Sequence, residues 1–297
     1  MQISTNAFYD SAARRMASLT GKANALQAQI STGKKIQNPS DDAAAAAQIA
    51  EFDRRDADDA VYKTNLTLAG SLLQQADTTL TQIGTQVQKA LELATQAANG
   101  TLNAANRSSI GDQLAAIRDT MLGLANSKDA RGQSLFGAAS GADAVTQANG
   151  TYTYSAANVS AIPIADGQTM EVTVGADRVF KAGDSDTFNV LNTLITALKS
   201  GSSDVSGTIK DAMTKLSAAN DNVAAVQASI GAREARVDLQ TNLQQQAGTD
   251  RATLRSAIQD VDASTAIIQL QQTMTVLQAT QASFTKLSGL SLFDYLK

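Results

Sequence analysis

Three groups of side chains in this chain have the types and spacing to do chemistry. The first is the acidic run Asp53-Arg54-Arg55-Asp56-Ala57-Asp58-Asp59, whose carboxylates could gather round a divalent cation. A solvated helix face laced with i,i+3 and i,i+4 ion pairs accounts for the same run, because arginines interleave with the acids. The second is Asp184-Ser185-Asp186, a fragment of a calcium-loop pattern that lacks the remaining ligands and the closing glutamate. The third is Asp166, Glu171, Asp177, Asp184 and Asp186, from which a glycan hydrolase could draw a carboxylate pair. No spacing among them argues for a cleft. Tyr152 and Tyr154 could stack on a sugar, although alternation on a strand face explains them equally well. Triplets such as Asn99-Gly100-Thr101 match the N-glycosylation pattern, but chance supplies them in a chain rich in Asn, Ser and Thr.

Composition removes more chemistry than these groups add. The 297 residues include no cysteine and no histidine. That excludes disulfides, thiol nucleophiles, Cys/His zinc sites and histidine acid–base catalysis. We assign no catalytic, metal or cofactor-binding residue, and the chain reads as a non-enzyme. The net charge of −4 and the lack of a basic patch argue against a nucleic-acid partner. Hydrophobic residues make up 43% but aromatics only 4%, which favours slender, closely packed helices over a bulky core.

The elements that would position such groups are long helices. Tyr9, Ala12, Met16, Leu19, Ala23, Leu26 and Ile30 recur at spacings of 3 and 4, predicting a helix over 9–31. Ile267, Leu270, Met274, Leu277, Gln281 and Phe284 do the same near the other end. No charge falls between Ala263 and Thr285. A solvated helix carries charge on its outer face, so this one is expected to meet protein on most sides. Five glutamines between 269 and 281 argue against membrane insertion. The start, Met1 to Asn6, lacks the basic and apolar regions of a cleaved secretory signal.

Between the ends, Gly33 and Asn38-Pro39 mark a break, and Ser40, Asp41 or Asp42 can cap the next helix. That helix, about 80 Å long, is expected over 43–98, then a turn at Asn99-Gly100, then a third helix antiparallel to it. From Gly132 to about Thr187 short β-like runs appear, at Tyr152–Tyr154, Ile162–Ile164, Met170–Val174 and Arg178–Phe180. Helix returns after Phe188 and again over 206–246. Gly248 is expected to break it, with Thr249 or Asp250 capping the last helix. The fold class is mainly α: a long antiparallel helical rod and coiled-coil bundle formed by both termini, with a small β-rich outer insert.

One segment is specific enough to suggest a family. Ser31-Thr32-Gly33-Lys34-Lys35-Ile36-Gln37-Asn38-Pro39-Ser40-Asp41-Asp42 resembles the signature of bacterial flagellins and their junction relatives. Asn99-Gly100-Thr101-Leu102 resembles that family's turn between two long helices. Asn126 through Arg131-Gly132-Gln133-Ser134-Leu135-Phe136-Gly137 resembles its approach to the outer domain, and Ile230-Gly231-Ala232-Arg233 a motif of its returning helix. The matches run in order along nearly all the chain outside 138–186. The ends, Met1 to Tyr9 and Gly289 to Leu296, look like members that join hook to filament. A major or minor filament flagellin, with an adhesive outer domain as a further option, is the alternative.

The resemblance implies a layout. Residues 1–45 and 250–297 would form an inner coiled-coil core, 46–132 and 187–249 a helical rod domain, and 133–186 a small β-rich outer domain. Helical assembly would use Met16, Leu19, Leu26, Ile30, Leu270, Met274, Leu277 and Phe284, for which packing between the two ends is the simpler account. Asn38, Pro39, Ser40, Asp41 and Asp42 would connect inner and outer layers. The implied partners are further copies of the chain, a neighbouring hook-associated protein, flagellin and a flagellar export chaperone. The implied place is the extracellular flagellum, reached by export without a cleaved signal peptide. Both ends are expected to be largely disordered before assembly.

Overall fold

The computed structural model describes residues 2–138, 141–156, 161–202 and 204–293. Met1 and the tail from Asp294 onward, parts of the end motifs, lie outside them. The elements are α1 (Gln2–Thr32), α2 (Ala43–Ala97), α3 (Ala104–Ala125), β1 (Val145–Ala148), β2 (Thr151–Tyr154), β3 (Ala161–Ala165), β4 (Gln168–Glu171), α4 (Ala176–Phe180), β5 (Lys181–Ala182), β6 (Ser185–Asp186), α5 (Thr187–Lys199), α6 (Ser206–Gln259) and α7 (Ala263–Phe293). They fall into two compact units, Met1–Ala57 with Gln246–Lys297, and Asp58–Gln245.

The larger unit holds the core. The stripe on α2, from Leu66 through Leu73, Leu80, Ile83 and Val87 to Ala94, is fully buried. It lies against the α6 stripe of Ile209, Leu216, Val223, Ile230 and Val237. Gly70 approaches Val237 and Gly84 approaches Val223, in each case with space for a methyl 3.7 Å from the valine. Moving up α2 therefore means moving down α6, so the two run antiparallel. At Asn99 the side chain accepts from the Thr101 amide and hydroxyl, and Asn103 caps α3 by accepting from the Asn106 amide. Gln75 of α2 reaches the Lys128 carbonyl just past α3, which places α3 antiparallel to α2. α3 packs on α5, with Gly111 at the contact: a Cβ there would stand 3.1 Å from Lys199 Cγ.

The described residues of the insert form three antiparallel hairpins, β1–β2, β3–β4 and β5–β6, and the short helix α4. Two expectations fail here, the first being the run Met170–Val174, whose strand ends at Glu171. Arg178–Phe180 belongs to a short helix, not a strand. Asn222 of α6 donates its amide to the carbonyls of Arg178 and Val179, which satisfies helical groups that a strand would have paired elsewhere. Strand β1 has no apolar alternation to announce it. It exists because the Asn126 amide pairs with both backbone groups of Val145, at 2.8 and 2.9 Å.

A third expectation fails at Gly248, where α6 continues to Gln259. One glycine inside a helix costs about 1 kcal/mol. Continuing carries Arg251 and Arg255 to Asp56 of α2. The cap of α7 is Asp262, not Thr249 or Asp250. It accepts from the amides of Ser264 and Thr265.

Candidate assembly interface

The terminal helices pair with each other. Tyr9 and Phe284 meet edge to face, with ring centroids 5.4 Å apart, and the backbone at Lys34 bridges antiparallel to Asp260. On α1 the covered line is the expected one: Tyr9, Ala12, Met16, Leu19, Ala23, Leu26 and Ile30 are all buried or half-buried. On α7 the covered line is Ala266, Leu270, Thr273, Leu277, Thr280 and Phe284, again at spacings of 3 and 4. That is the 3.5-residue repeat of a coiled-coil seam. It shares Leu270, Leu277 and Phe284 with the sequence stripe but replaces Ile267, Met274 and Gln281 by their neighbours.

The assigned interface residues therefore divide. Leu26 and Leu277 are 7% and 9% exposed, spent within the pair. Met16, Leu19, Ile30, Leu270 and Phe284 are half-buried. Met274 is 42% exposed, and with Ile267, Ile268 and Val276 it leaves apolar surface on α7 away from α1. These are large side chains on a helix with no charge before Lys286. Among the described residues no helix is long and apolar enough to cross a membrane.

The connecting residues form one compact joint. Gly33 adopts φ +71°, closing α1 as only glycine does cheaply. Ile36 is buried. Asp41 turns back to accept from the amides of Gln37 and Asn38, and Asp42 caps α2 through the amides of Ala44 and Ala45. The Asn38 and Gln37 amides hold the Asp41 carboxyl below the usual carboxylate range. Sequence reading missed what this joint touches. The turn between α6 and α7 pairs with it, the Lys35 amide donating to the Gln259 carbonyl and the Val261 amide to the Gly33 carbonyl. No local pattern in Asp260-Val261-Asp262 signals that partner, and the cap at Asp262 was missed with it.

The acidic run is an ion-pair face. Glu51 accepts from Arg54 and Arg55 along α2, while Asp56 meets Arg251 and Arg255 of α6. Those two guanidinium groups, Arg251 first, hold the Asp56 carboxyl below its ordinary range. Asp186 caps α5 through the Asn189 amide. Tyr152 stacks on Phe188 with centroids 4.7 Å apart, and Lys181 stands over the Tyr154 ring. Tyr152, buried against α5, is thus not available to stack on a sugar, while Tyr154 is half-buried.

The family motifs serve as joints too. Asp129 is buried and accepts from the amides of Arg131 and Gln133 and from the Arg131 guanidinium. Burial pushes its carboxyl up, but these donors outweigh it and hold the group below the usual range. Phe136 and Leu135 enter the core beyond it. Arg233 donates to the carbonyls of Glu171 and Thr173, tying α6 to the end of β4.

Comparison with known proteins gives the same frame. The bacterial flagellin N-terminal helical region matches residues 3–140. Flagellar hook-associated protein 3 of Salmonella typhimurium is 28% identical, the alignment covering 99% of each chain. A flagellar hook-associated protein structure from Vibrio parahaemolyticus superposes with a TM-score of 0.70 at 21% identity, covering 74% of this chain and all of that one. A flagellar junction protein of Legionella pneumophila gives 0.59 at 14% identity, over 73% of this chain and all of that one. These two structures bear on the fold alone. The chain is thus similar to the bacterial flagellin profile over its N-terminal side and to a flagellar hook-associated protein along its length.

Proposed function

We propose that this chain is a structural subunit of the bacterial flagellum, assembled helically as the layer that joins hook to filament. The observation that carries the assembly is α7: one face covers α1, while Ile267, Ile268, Met274 and Val276 on the rest of it stay bare. The α1–α7 pair buries few large side chains of its own. Each fully buried Leu or Met contributes roughly 1.5–3 kcal/mol, whereas fixing one residue's backbone costs about 1–2 kcal/mol. Two 31-residue helices held mainly by Leu26, Leu277 and small residues are therefore marginal until neighbouring copies add contacts. Such copies repeat one heterologous contact by a helical operation.

Similarity to hook-associated protein 3 along the whole chain favours the junction over the filament. On this reading residues 1–45 and 250–297 are the inner core, 46–132 and 187–249 the rod, and 133–186 the outer domain. Asn38, Pro39, Ser40, Asp41 and Asp42 link inner and outer layers. Its neighbours are further copies, another hook-associated protein and flagellin; an export chaperone binds it before export, and it reaches the cell exterior without cleavage of a signal peptide.

The test is electron microscopy of flagella from a strain lacking this gene. Hooks without filaments, with filament protein shed to the medium, are expected. Intact junctions with thinned or missing filament would make the chain a flagellin instead.

A further inference from the structure

We propose that the two backbone bonds between the Gly33–Lys35 loop and the α6–α7 turn set the register of the α1–α7 pair. The inference concerns the pair itself and stands whichever flagellar layer the chain occupies. A coiled-coil seam needs something that forbids sliding by a heptad, commonly charge pairs flanking the seam or a polar residue bonded across it. α7 offers no charge between Ala263 and Thr285. Its buried seam threonine, Thr273, donates back to the Gln269 carbonyl of its own helix, and Thr280 donates to Val276 likewise. Leu270, Leu277 and Phe284 stand seven residues apart, so a slip by one heptad again sets apolar against apolar.

The joint supplies what the seam lacks. The Lys35 amide donates to the Gln259 carbonyl at 2.6 Å and the Val261 amide to the Gly33 carbonyl at 3.0 Å. These bonds are directional and admit one alignment. The strand that follows α1 is braced. Gln29 donates to the Lys35 carbonyl, and Gln37 to the Thr32 hydroxyl. Asp262 caps α7 one residue after Val261, so the position of the joint passes directly into the phase of α7. At the far end the spacing agrees: Tyr9 to Lys34 is 25 residues, and Asp260 to Phe284 is 24.

The chain has no cysteine, so an engineered pair provides its only thiols. In the full-length chain, Tyr9→Cys with Phe284→Cys reports the register in which Tyr9 meets Phe284. Tyr9→Cys with Leu277→Cys reports a slip of one heptad. Each pair is oxidised in the unaltered background, with Val261→Pro, which removes one donor, and with Gly33→Val, which is strained at φ +71°. We expect the first pair to cross-link roughly ten-fold more than the second in the unaltered background, and this selectivity to fall to about one in both variants. Thermal unfolding of residues 58–245 identifies a variant that disturbs more than the joint; the other variant then decides. Selectivity that survives the loss of the bonds, or failure of the first pair to cross-link in the unaltered background, overturns the proposal.

Discussion

Arg251 of α6 lies 2.9 Å from Asp56 of α2, and Arg255 reaches the other carboxylate oxygen at 2.7 Å. The pair spans 195 residues of sequence and joins a run that reads as a mere solvated face. Asp56 has a folded pKa below its ordinary 3.8. The sign comes from linkage: its stabilisation is present in full above the unfolded value and is lost as pH falls through the lower folded value. Asp56 is 40% exposed, so screening reduces the contribution to about 0.5–1 kcal/mol. Asp56→Asn should lower the protection of α6 amides beyond Gln246 by that amount near neutrality, and the difference should vanish once acidification protonates Asp56 in the folded chain. Hydrogen exchange across that range measures it. An equal difference at every pH would show that the ion pair is not its source.

Met274 and Leu277 occupy different sides of α7, so charging each should separate two effects. Leu277→Asp buries a carboxylate against α1 and should release both terminal helices as well as block assembly. Met274→Asp stands in the open and should block assembly while α1 and α7 remain paired. A buried leucine truncated to alanine costs about 2–5 kcal/mol, and a carboxylate there costs more. Sedimentation and electron microscopy read assembly, and hydrogen exchange over 16–30 reads pairing. Normal assembly of Met274→Asp would remove the bare face of α7 from the interface.

Arg233 holds the insert. Its guanidinium donates to the Glu171 carbonyl at 2.7 Å. Arg233→Ala leaves that carbonyl short of a charged donor and should cost about 1.5–3 kcal/mol in the unit 58–245. Arg233→Lys should recover part of it, since an ammonium keeps a charged donor but on a shorter stem without the planar guanidinium. Chemical unfolding compares the three proteins.

What the sequence made legible was periodic. Helices at both ends, α2, α3 and α5 came from spacing, because a 3.6-residue repeat is written in the chain itself. The seam of α1 was readable for the same reason. The seam of α7 was readable only in part: its apolar residues run round the helix, so Thr273 and Thr280 gave no signal against Met274 and Gln281. The joint was half legible. Gly33 and Asp42 carry local backbone logic, but the partner strand at Gln259–Val261 is chosen by contact across more than 200 residues. Gly248 misled for the opposite reason, since a local helix weakness was overridden by ion pairs with Asp56. Likewise β1 depends on Asn126, whose role is invisible without its partner Val145.

That pairing supports the last expectation. The Asn126 side chain imitates a strand, donating to the Val145 carbonyl and accepting from its amide. It also ends α3, its own amide bonding the last turn. Asn126→Ala removes both side-chain bonds and leaves a partly buried peptide unit of Val145 unpaired, at a cost of about 1–3 kcal/mol. For a unit of this size each kcal/mol lowers Tm by about 2–4 °C. Asn126→Asp keeps the acceptor but sets a carboxylate against the Val145 carbonyl, so it should be no better than alanine near neutral pH. It should recover when acidified enough to protonate, because the neutral acid can donate again. Thermal unfolding of the three proteins at two pH values measures the order. An aspartate variant as stable as the parent near neutrality would mean that the bond to the Val145 carbonyl contributes nothing.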